Sequence, residues 1–218
     1  MKKIIYKNEY EAIIKEIELP VDEYYSEPND IQGKYKTREI YKNEKLNEYI
    51  IFNESNKSRI EILNNVGLQE IKIAIGQREY LGDFRHEKLY HYNSNKILET
   101  IINLVYDNEN NVIVSSFTDD IESEIPYWNG TSKYYYDKSI RANDSLFECY
   151  YNDNGELIPI TIDVEELDLG DHDGAWIYND ADGIEDLMRI FNMPKYLAEF
   201  YVSSELIPEK TLPNNVYN

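Results

Sequence analysis

Cysteine is nearly absent from this chain: Cys149 is the only one among its 218 residues. A single thiol cannot form an intramolecular disulfide, which excludes the disulfide-stapled secreted domains and favours a reducing compartment. Cys149 lies in the apolar and aromatic run Phe147–Tyr151. This setting is typical of a buried, unreactive thiol and not of a nucleophile.

Long apolar runs are missing as well. The basic N-terminus contains only the pair Ile4-Ile5, which is too short for the apolar region of a signal peptide. No window reaches the roughly 18 apolar residues of a membrane span. We therefore expect a cytoplasmic protein that does not interact with a membrane.

The sequence has few residues with which to build a catalytic centre. Its three histidines, His86, His91 and His172, are scattered along the chain. The HExxH, paired CxxC, Gly-x-Ser-x-Gly and Gly-rich phosphate-binding patterns do not occur. We therefore predict no catalytic residue, no cofactor and no enzymatic activity.

Positive charge is scarce, and it is unevenly distributed. The chain has 22 Lys and Arg against 42 Asp and Glu, a formal charge of −20. Residues 1–100 are nearly neutral, with 16 basic and 18 acidic side chains, whereas residues 101–218 contain 6 and 24. A surface this acidic repels phosphate, which excludes direct binding to nucleic acid.

The apolar content predicts a folded protein despite this charge. Hydrophobic residues make up 42% of the chain, enough for the core of one domain over residues 1–218. Isoleucine and tyrosine, which favour strands, are abundant. We predict an α+β fold, mainly an antiparallel sheet built as a hairpin meander, with an N-terminal helix and C-terminal helices.

Periodicity locates individual elements in the first half and centre of the chain. Apolar residues at helical spacing predict a helix over Glu9–Glu18. The alternating segment Ile71–Ile75 predicts a strand that ends at Gly76. Two apolar segments, 97–106 and 112–117, flank a polar cluster and predict a hairpin.

Turn and cap signals locate the elements of the C-terminal part. The pair Asn154-Gly155 predicts a tight hairpin turn, because Asn-Gly supplies the two positive φ values that such a turn requires. Asp182, with Glu185 three residues further on, is the predicted cap of a helix. Pro194 is predicted to start a second helix.

One acidic segment has the composition of a calcium-binding loop. Residues 168–174 and 179–183 contain Asp residues beside Gly, and clustered carboxylate oxygens are the ligands of hard cations. An EF-hand alignment on the glycine of either segment places Leu169 or Tyr178 at the first ligand position. We therefore predict no metal site and interpret these residues as turns and a helix cap.

The acidic second half interleaves carboxylates with aromatic residues. Two acidic runs lead into Trp128 and Trp176, and a charged rim around rigid aromatic anchors is typical of tight protein interfaces. The predicted partner-binding residues are Asp119, Asp120, Glu122, Glu124, Trp128, Glu165, Glu166, Asp168, Asp171, Asp173 and Trp176.

The aromatic and polar hairpin turns carry a resemblance to a known group of proteins. The segments Val105–Asn108 and Tyr150–Gly155, together with the acidic second half, resemble immunity proteins encoded beside bacterial polymorphic and contact-dependent toxins. The stretch Ile17–Tyr25, which runs through Leu-Pro to an aromatic pair, and Gly33 resemble the opening of SUKH-type immunity domains. The resemblance implies a toxin-neutralising role.

The leading hypothesis is an intracellular immunity protein that occludes the active-site cleft of a basic toxin, most naturally a nuclease. Its partner would be a basic cognate protein, because carboxylates complement the basic cleft that a nuclease uses for phosphate. Two alternatives remain open. One is a metal-dependent enzyme that uses the Asp168–Asp182 region, and the other is an acidic phage or mobile-element protein that blocks a host nucleic-acid-binding factor.

Overall fold

A computed structural model describes most of the chain from residue 36 onward and three short strands before it. The described residues are 6–7, 13–14, 23–26, 36–42, 45–53, 57–66, 71–124, 127–137, 145–162, 175–178 and 180–208. The strands are β1 (Tyr6–Lys7), β2 (Ile13–Ile14), β3 (Glu23–Ser26), β4 (Lys36–Lys42), β5 (Lys45–Phe52), β6 (Lys72–Leu81), β7 (Phe84–Tyr92), β8 (Leu98–Tyr106), β9 (Val112–Thr118), β10 (Thr131–Tyr135), β11 (Phe147–Tyr150), β12 (Ile160–Ile162) and β13 (Ala175–Ile177). The helices are α1 (Arg59–Asn65), α2 (Ala181–Phe191) and α3 (Lys195–Val202), with a 3₁₀ turn at Trp128–Gly130.

The described strands form a meander in which one neighbouring pair is parallel. The main sheet has the order β11-β10-β9-β8-β7-β6-β5-β4-β3-β1-β2, and β12 pairs with β13 in a separate two-stranded sheet. Strands β5 and β6 are parallel, and the crossover that a parallel pair requires contains α1. The pairs β3–β4, β4–β5, β9–β10 and β10–β11 are antiparallel. The predicted α+β fold with a mainly antiparallel meander and C-terminal helices is confirmed.

The hairpin predicted from the polar cluster between β8 and β9 is present. Asp107 forms the turn, and its Oδ1 accepts hydrogen bonds from the backbone N–H groups of Glu109 and Asn111. Asn110 adopts the left-handed conformation, with φ 67°, which asparagine tolerates better than most residues. The short polar side chains thus determine where β8 ends and β9 begins.

The Asn154-Gly155 turn is present, but its geometry differs from the prediction. Gly155 has φ 76°, whereas Asn154 does not have a positive φ, so the two positive values expected here are wrong. The Asn152 side chain instead accepts from two backbone N–H groups within the turn. Beyond the turn Tyr151 and Leu157 form an isolated bridge, and the N–H of Ile158 donates to the carbonyl oxygen of Tyr150. The chain then leaves β11 to form the pair β12–β13.

The predicted N-terminal helix over Glu9–Glu18 is wrong at Ile13–Ile14. These two residues form β2, which pairs antiparallel with β1. β-Branched residues fit an extended backbone well, and pairing with a neighbouring strand overrides a helical spacing this short. The other residues of the predicted helix lie outside the described residues.

Strand β6 does not end at Gly76 as predicted, but continues to Leu81. A Cβ atom at residue 76 would lie 2.7 Å from Cδ1 of Phe52. Glycine therefore makes room for the aromatic ring of the neighbouring strand, which is one of the known uses of glycine within a strand. The chain turns only at Gly82, which has φ 60° and starts the return into β7.

The two predicted C-terminal helices are present, but the cap of the first is not the predicted one. The N-cap of α2 is Asp180, whose Oδ1 accepts a 2.9 Å hydrogen bond from the N–H of Gly183. Asp182 lies in the first helical turn instead. The cap lies two residues earlier because the Asp180 side chain is the one that reaches a free N–H of the first turn. Gly183 also lies close to Tyr178, where a Cβ atom would be 2.0 Å from the carbonyl oxygen. Pro194 is the N-cap residue of α3.

The chain is organised in two compact units, and four strands contribute residues to both. Unit 1 comprises residues 1–79, 87–103 and 118–124, and unit 2 comprises residues 80–86, 104–117 and 125–218. In unit 1, Ile62 and Leu63 of α1 pack on apolar residues of β5 to β8. That the whole chain is one domain stays a prediction.

Unit 2 has its own core, which is rich in aromatic residues. The Tyr135 ring stacks on Phe147, with centroids 5.1 Å apart, and contacts Phe191 and Tyr201 edge to face. Helices α2 and α3 therefore bury their apolar faces against the strands β10 and β11. Cys149 lies in this core and is fully buried, as its sequence context predicted.

Candidate functional site

Residues 119–124, Asp-Asp-Ile-Glu-Ser-Glu, follow β9 and form an acidic turn within unit 1. The side chains of Asp119, Asp120 and Glu122 are exposed, and that of Glu124 is half-buried. Four carboxylates in six residues repel one another. The turn therefore needs other interactions to hold its conformation, and the structure provides them at both of its ends.

The first end of the turn is held by hydrogen bonds to the backbone. The Thr118 hydroxyl accepts from the N–H of Asp120 at 3.1 Å, and the Asp120 carboxylate accepts from the N–H of Ser123 at 3.2 Å. Hydrogen bonds from the side chain and backbone of Ser123 lower the pKa of the Asp120 carboxyl. The Asp120 carbonyl oxygen accepts from the N–H of Glu124 and closes the turn at 3.1 Å.

The second end is held by the side chain of Glu124. Its Oε2 accepts hydrogen bonds from Lys88 Nζ at 2.5 Å and from the Tyr90 hydroxyl at 3.2 Å, and its Oε1 lies 3.8 Å from Nη2 of Arg59. The hydrogen bond from Lys88 is the main reason that the pKa of Glu124 is lowered. These contacts compensate for the left-handed backbone of Glu124, at φ 52°, which is costly for a residue with a Cβ atom.

Arg59, the farther of the two cations at the Glu124 carboxylate, is held in place by an aromatic ring. The Arg59 guanidinium carbon lies 3.6 Å from the centroid of the Tyr90 ring, a cation–π contact. Residues Lys88 and Tyr90 lie on β7, and Arg59 begins α1. The acidic turn is thus fixed to a strand and a helix of unit 1.

Fixing Glu124 leaves the other three carboxylates of the turn facing solvent. Among the residues that the structure describes, none places a cationic side chain within 4 Å of Asp119, Asp120 or Glu122. The arrangement is therefore an ordered acidic surface: one carboxylate is neutralised to hold the turn, and three remain available. Its chemical capability is to attract and orient a basic group of another molecule.

The structure describes only some of the predicted partner-binding residues. Trp128 begins the 3₁₀ turn and Trp176 lies in the middle of β13, each described by its backbone alone. The remaining predicted residues fall outside the described part of the chain; they are Glu165, Glu166, Asp168, Asp171 and Asp173. The involvement of all these residues in partner binding stays a prediction.

The Asp168–Asp182 region, the basis of the metal-dependent alternative, is described only at its end. Asp180 caps α2, and Asp182 lies in its first turn. Within the described residues, no group of three or more His, Cys, Asp or Glu side chains could hold a metal ion. Asp168–Asp173 lie outside those residues.

Sequence reasoning missed both elements that anchor the acidic turn. Helix α1 begins at a capping box, in which the Ser58 hydroxyl accepts from the N–H of Glu61 and the Glu61 carboxylate accepts from the N–H of Ser58. The Ser-x-x-Glu pattern at these positions was the available signal. Strand β7 could have been located from the turn residues Gly82-Asp83 before it.

Comparisons with protein-family models, characterised proteins and solved structures give no match to this chain. In the part of the chain that the structure describes, no helix has both the length and the apolar character needed to cross a bilayer.

Proposed function

We propose that this chain is an intracellular inhibitory binding protein, an immunity protein that neutralises a basic bacterial toxin of the nuclease type by covering its active-site cleft. The observation that carries the proposal is the anchored acidic turn. Glu124 is tied to Lys88, Tyr90 and Arg59, and the turn presents exposed carboxylates in a fixed arrangement.

Electrostatic complementarity supports this choice of partner. A nuclease needs a cleft of Lys and Arg side chains to hold the phosphates of its substrate. An ordered acidic surface mimics the negative charge of those phosphates. Charged surfaces of opposite sign accelerate association and disfavour partners of the wrong charge. A turn that is already ordered before binding also avoids part of the entropy cost of forming the complex.

The second acidic run belongs to the same proposal. Carboxylates of residues 165–173 would add to the negative charge that attracts the partner, and Trp128 and Trp176 would supply aromatic contacts to it. Binding kinetics would distinguish the contribution of the carboxylates from that of the two tryptophans. Charge should act on the association rate, whereas removal of an aromatic anchor should act on the dissociation rate.

The direct test is co-expression with the protein encoded by the adjacent gene. If that protein is a toxin, we expect this chain to restore growth and the purified pair to bind, with association that slows as salt rises. The triple variant D119N/D120N/E122Q should associate about tenfold more slowly than the wild type. As a matched control, E79Q/D83N/D153N removes the same charge from exposed positions elsewhere and should change the rate little.

Two results would count against the proposal. Failure to protect cells from the neighbouring protein, with both proteins folded and expressed, would contradict the immunity function. Binding whose rate does not depend on salt or on the acidic turn would remove the electrostatic argument, even if protection were observed.

A further inference from the structure

Unit 1 contains a cleft of about 770 Å³ beside the first turn of α1. This volume lies within the range of about 300–1,000 Å³ that is usual for small-molecule sites. Its lining comes from α1 and the residues before it, from the interior of β6, from the adjoining ends of β7 and β8 with their connection, and from the residue after β5. Apolar groups are contributed by Leu63, Tyr92 and Leu98.

The charge of this cleft is opposite to that of the chain as a whole. Among the residues that the structure describes, its lining includes the three cations Lys57, Arg59 and Lys96 and no Asp or Glu, although the protein has a formal charge of −20. A cluster of cations on so acidic a molecule locally reverses the electrostatic potential. The cleft therefore favours an anion where most of the charge distribution repels one.

Within the described part of the chain, Arg59 and Lys96 are only loosely paired. Lys96 Nζ donates to the carbonyl oxygen of Leu63 at 2.8 Å, and no carboxylate of the described residues forms an ion pair with it. Arg59 lies over the Tyr90 ring and approaches Glu124 only at 3.8 Å. Glu124 is already bonded to Lys88, so its charge is shared.

Lys57 lies near the carboxylate of Glu61, but that carboxylate takes part in the cap of α1. Hydrogen bonds from Ser58 lower the pKa of the Glu61 carboxyl, and the charge of Lys57 adds to this effect. Glu61 is not part of the lining, because its carboxylate closes the capping box at Ser58. The described residues of the lining therefore carry three positive side chains and no negative one.

Amide side chains complete the polar part of the lining. Asn53, Asn64 and Gln77 provide neutral donors and acceptors. Convergent cations and amides next to an apolar surface are the usual composition of a site for a small molecule that carries both charge and an apolar body. A purely apolar ligand would leave the cations unused, and a bare inorganic ion would leave the apolar surface uncovered.

We propose that this cleft binds a small organic anion, with anionic oxygens facing Lys57, Arg59 and Lys96 and an apolar or aromatic body against Leu63, Tyr92 and Leu98. The anionic oxygens would belong to a carboxylate or to a phosphate ester, which the same cations recognise. The site differs from the acidic turn in the charge that it attracts, since the cations of the cleft would repel a basic partner, although Arg59 contacts both.

The test uses four probes that separate charge from apolar character, titrated into the full-length protein and followed by NMR or calorimetry. Phenyl phosphate and benzoate carry both features, benzyl alcohol lacks the charge, and inorganic phosphate lacks the apolar body. We expect saturable binding of at least one aromatic anion with a dissociation constant of about 1 mM or lower. We expect at least tenfold weaker binding of the other two probes. The tighter of the two aromatic anions identifies the anionic group.

Substitutions locate the binding. Lys57→Gln and Lys96→Gln should each weaken binding about threefold, because each removes one partly exposed charge. Arg189→Gln, an exposed arginine of α2 paired with Asp186, should leave binding unchanged. The proposal is overturned if neither aromatic anion binds with a dissociation constant of about 1 mM or lower. It is also overturned if benzyl alcohol or inorganic phosphate binds as tightly as the aromatic anions, or if both lysine variants bind like the wild type.

Discussion

Lys133 Nζ lies 2.7 Å from the carbonyl oxygen of Ser203, and it also donates to the carbonyl oxygen of Phe200. The lysine is fully buried, and its ammonium group lies over the rings of Phe200 and Tyr151, 3.9 and 5.0 Å from their centroids. A side chain of β10 thus satisfies carbonyl groups at the C-terminal end of α3, where a positive charge also interacts favourably with the helix dipole.

Burial of Lys133 predicts a specific dependence of stability on pH. Desolvation lowers the pKa of Lys133 from 10.5 to about 7, so the folded protein binds fewer protons than the unfolded chain between these values. Stability should therefore rise with pH from about 7, by about 1 kcal/mol per pH unit. Urea unfolding at pH 6.5, 7.5 and 8.5 measures it, and Lys133→Met provides the comparison because it lacks the titrating group.

The pH range of this experiment stops below pH 9 because ionisation of Cys149 changes the stability in the opposite direction. Burial raises the pKa of its thiol from 9.0 to about 12, so this group removes stability once the unfolded thiol begins to ionise. A difference in stability between wild type and Lys133→Met that stays constant with pH would contradict the prediction. It would indicate that the two carbonyls and two rings keep the ammonium charged.

The same burial predicts that Cys149 is chemically inert in the folded state. Thiolate is the reactive form, and a thiol with a pKa of about 12 and no exposed surface supplies almost none at pH 8. Reaction with a chromogenic disulfide reagent should be at least about 100-fold slower in buffer than in urea. Rapid stoichiometric reaction of the folded protein would show that the thiol is accessible.

Glu87 should be among the residues whose neutralisation costs the most stability. It is fully buried and bonded to two cations, with Oε2 3.4 Å from Arg38 Nη1 and Oε1 2.8 Å from Arg78 Nε. Glu87→Gln removes the buried carboxylate charge that both guanidinium groups contact and should cost about 3–5 kcal/mol in unfolding free energy. The exposed Glu79→Gln is the control and should cost less than about 0.5 kcal/mol.

The cap of α2 can be tested with a matched pair of variants. Asp180→Ala removes the side chain that accepts from the N–H of Gly183 and should cost about 1 kcal/mol. Asp182→Ala removes a charge from the first turn but no capping bond, and should cost no more than about 0.5 kcal/mol. Equal losses in the two variants, measured by chemical denaturation, would contradict this assignment of the cap.

The strands and terminal helices could be predicted where local sequence decides the structure. Asp107 and Asn111 mark the β8–β9 turn through bonds within five residues of chain, and Pro194 separates α2 from α3. Helix α1 was missed because its seven residues bury only Ile62 and Leu63, too few positions to establish a helical period.

The candidate site depends on contacts that a pattern along the chain does not contain. The acidic residues of the turn were identified from charge alone, but the role of Glu124 follows from Lys88, 36 residues earlier. The buried charges Glu87 and Lys133 were not predicted, since charged residues are rarely buried unless paired. Their partners lie as far as 49 and 70 residues away.

The order of strands in the main sheet bears on how the chain can fold during synthesis. From β3 to β11 each strand lies next to the one before it in sequence. A ribosome releases the N-terminal part first, so each new strand can pair with one that has already emerged. The strands β5 and β6 are an exception because they pair in parallel and not as a hairpin. The chain between them must close a longer loop before the two strands gain contacts. We therefore expect the growing sheet to pause at this step, until β6 has emerged and paired with β5 and α1 has packed on apolar residues of both strands.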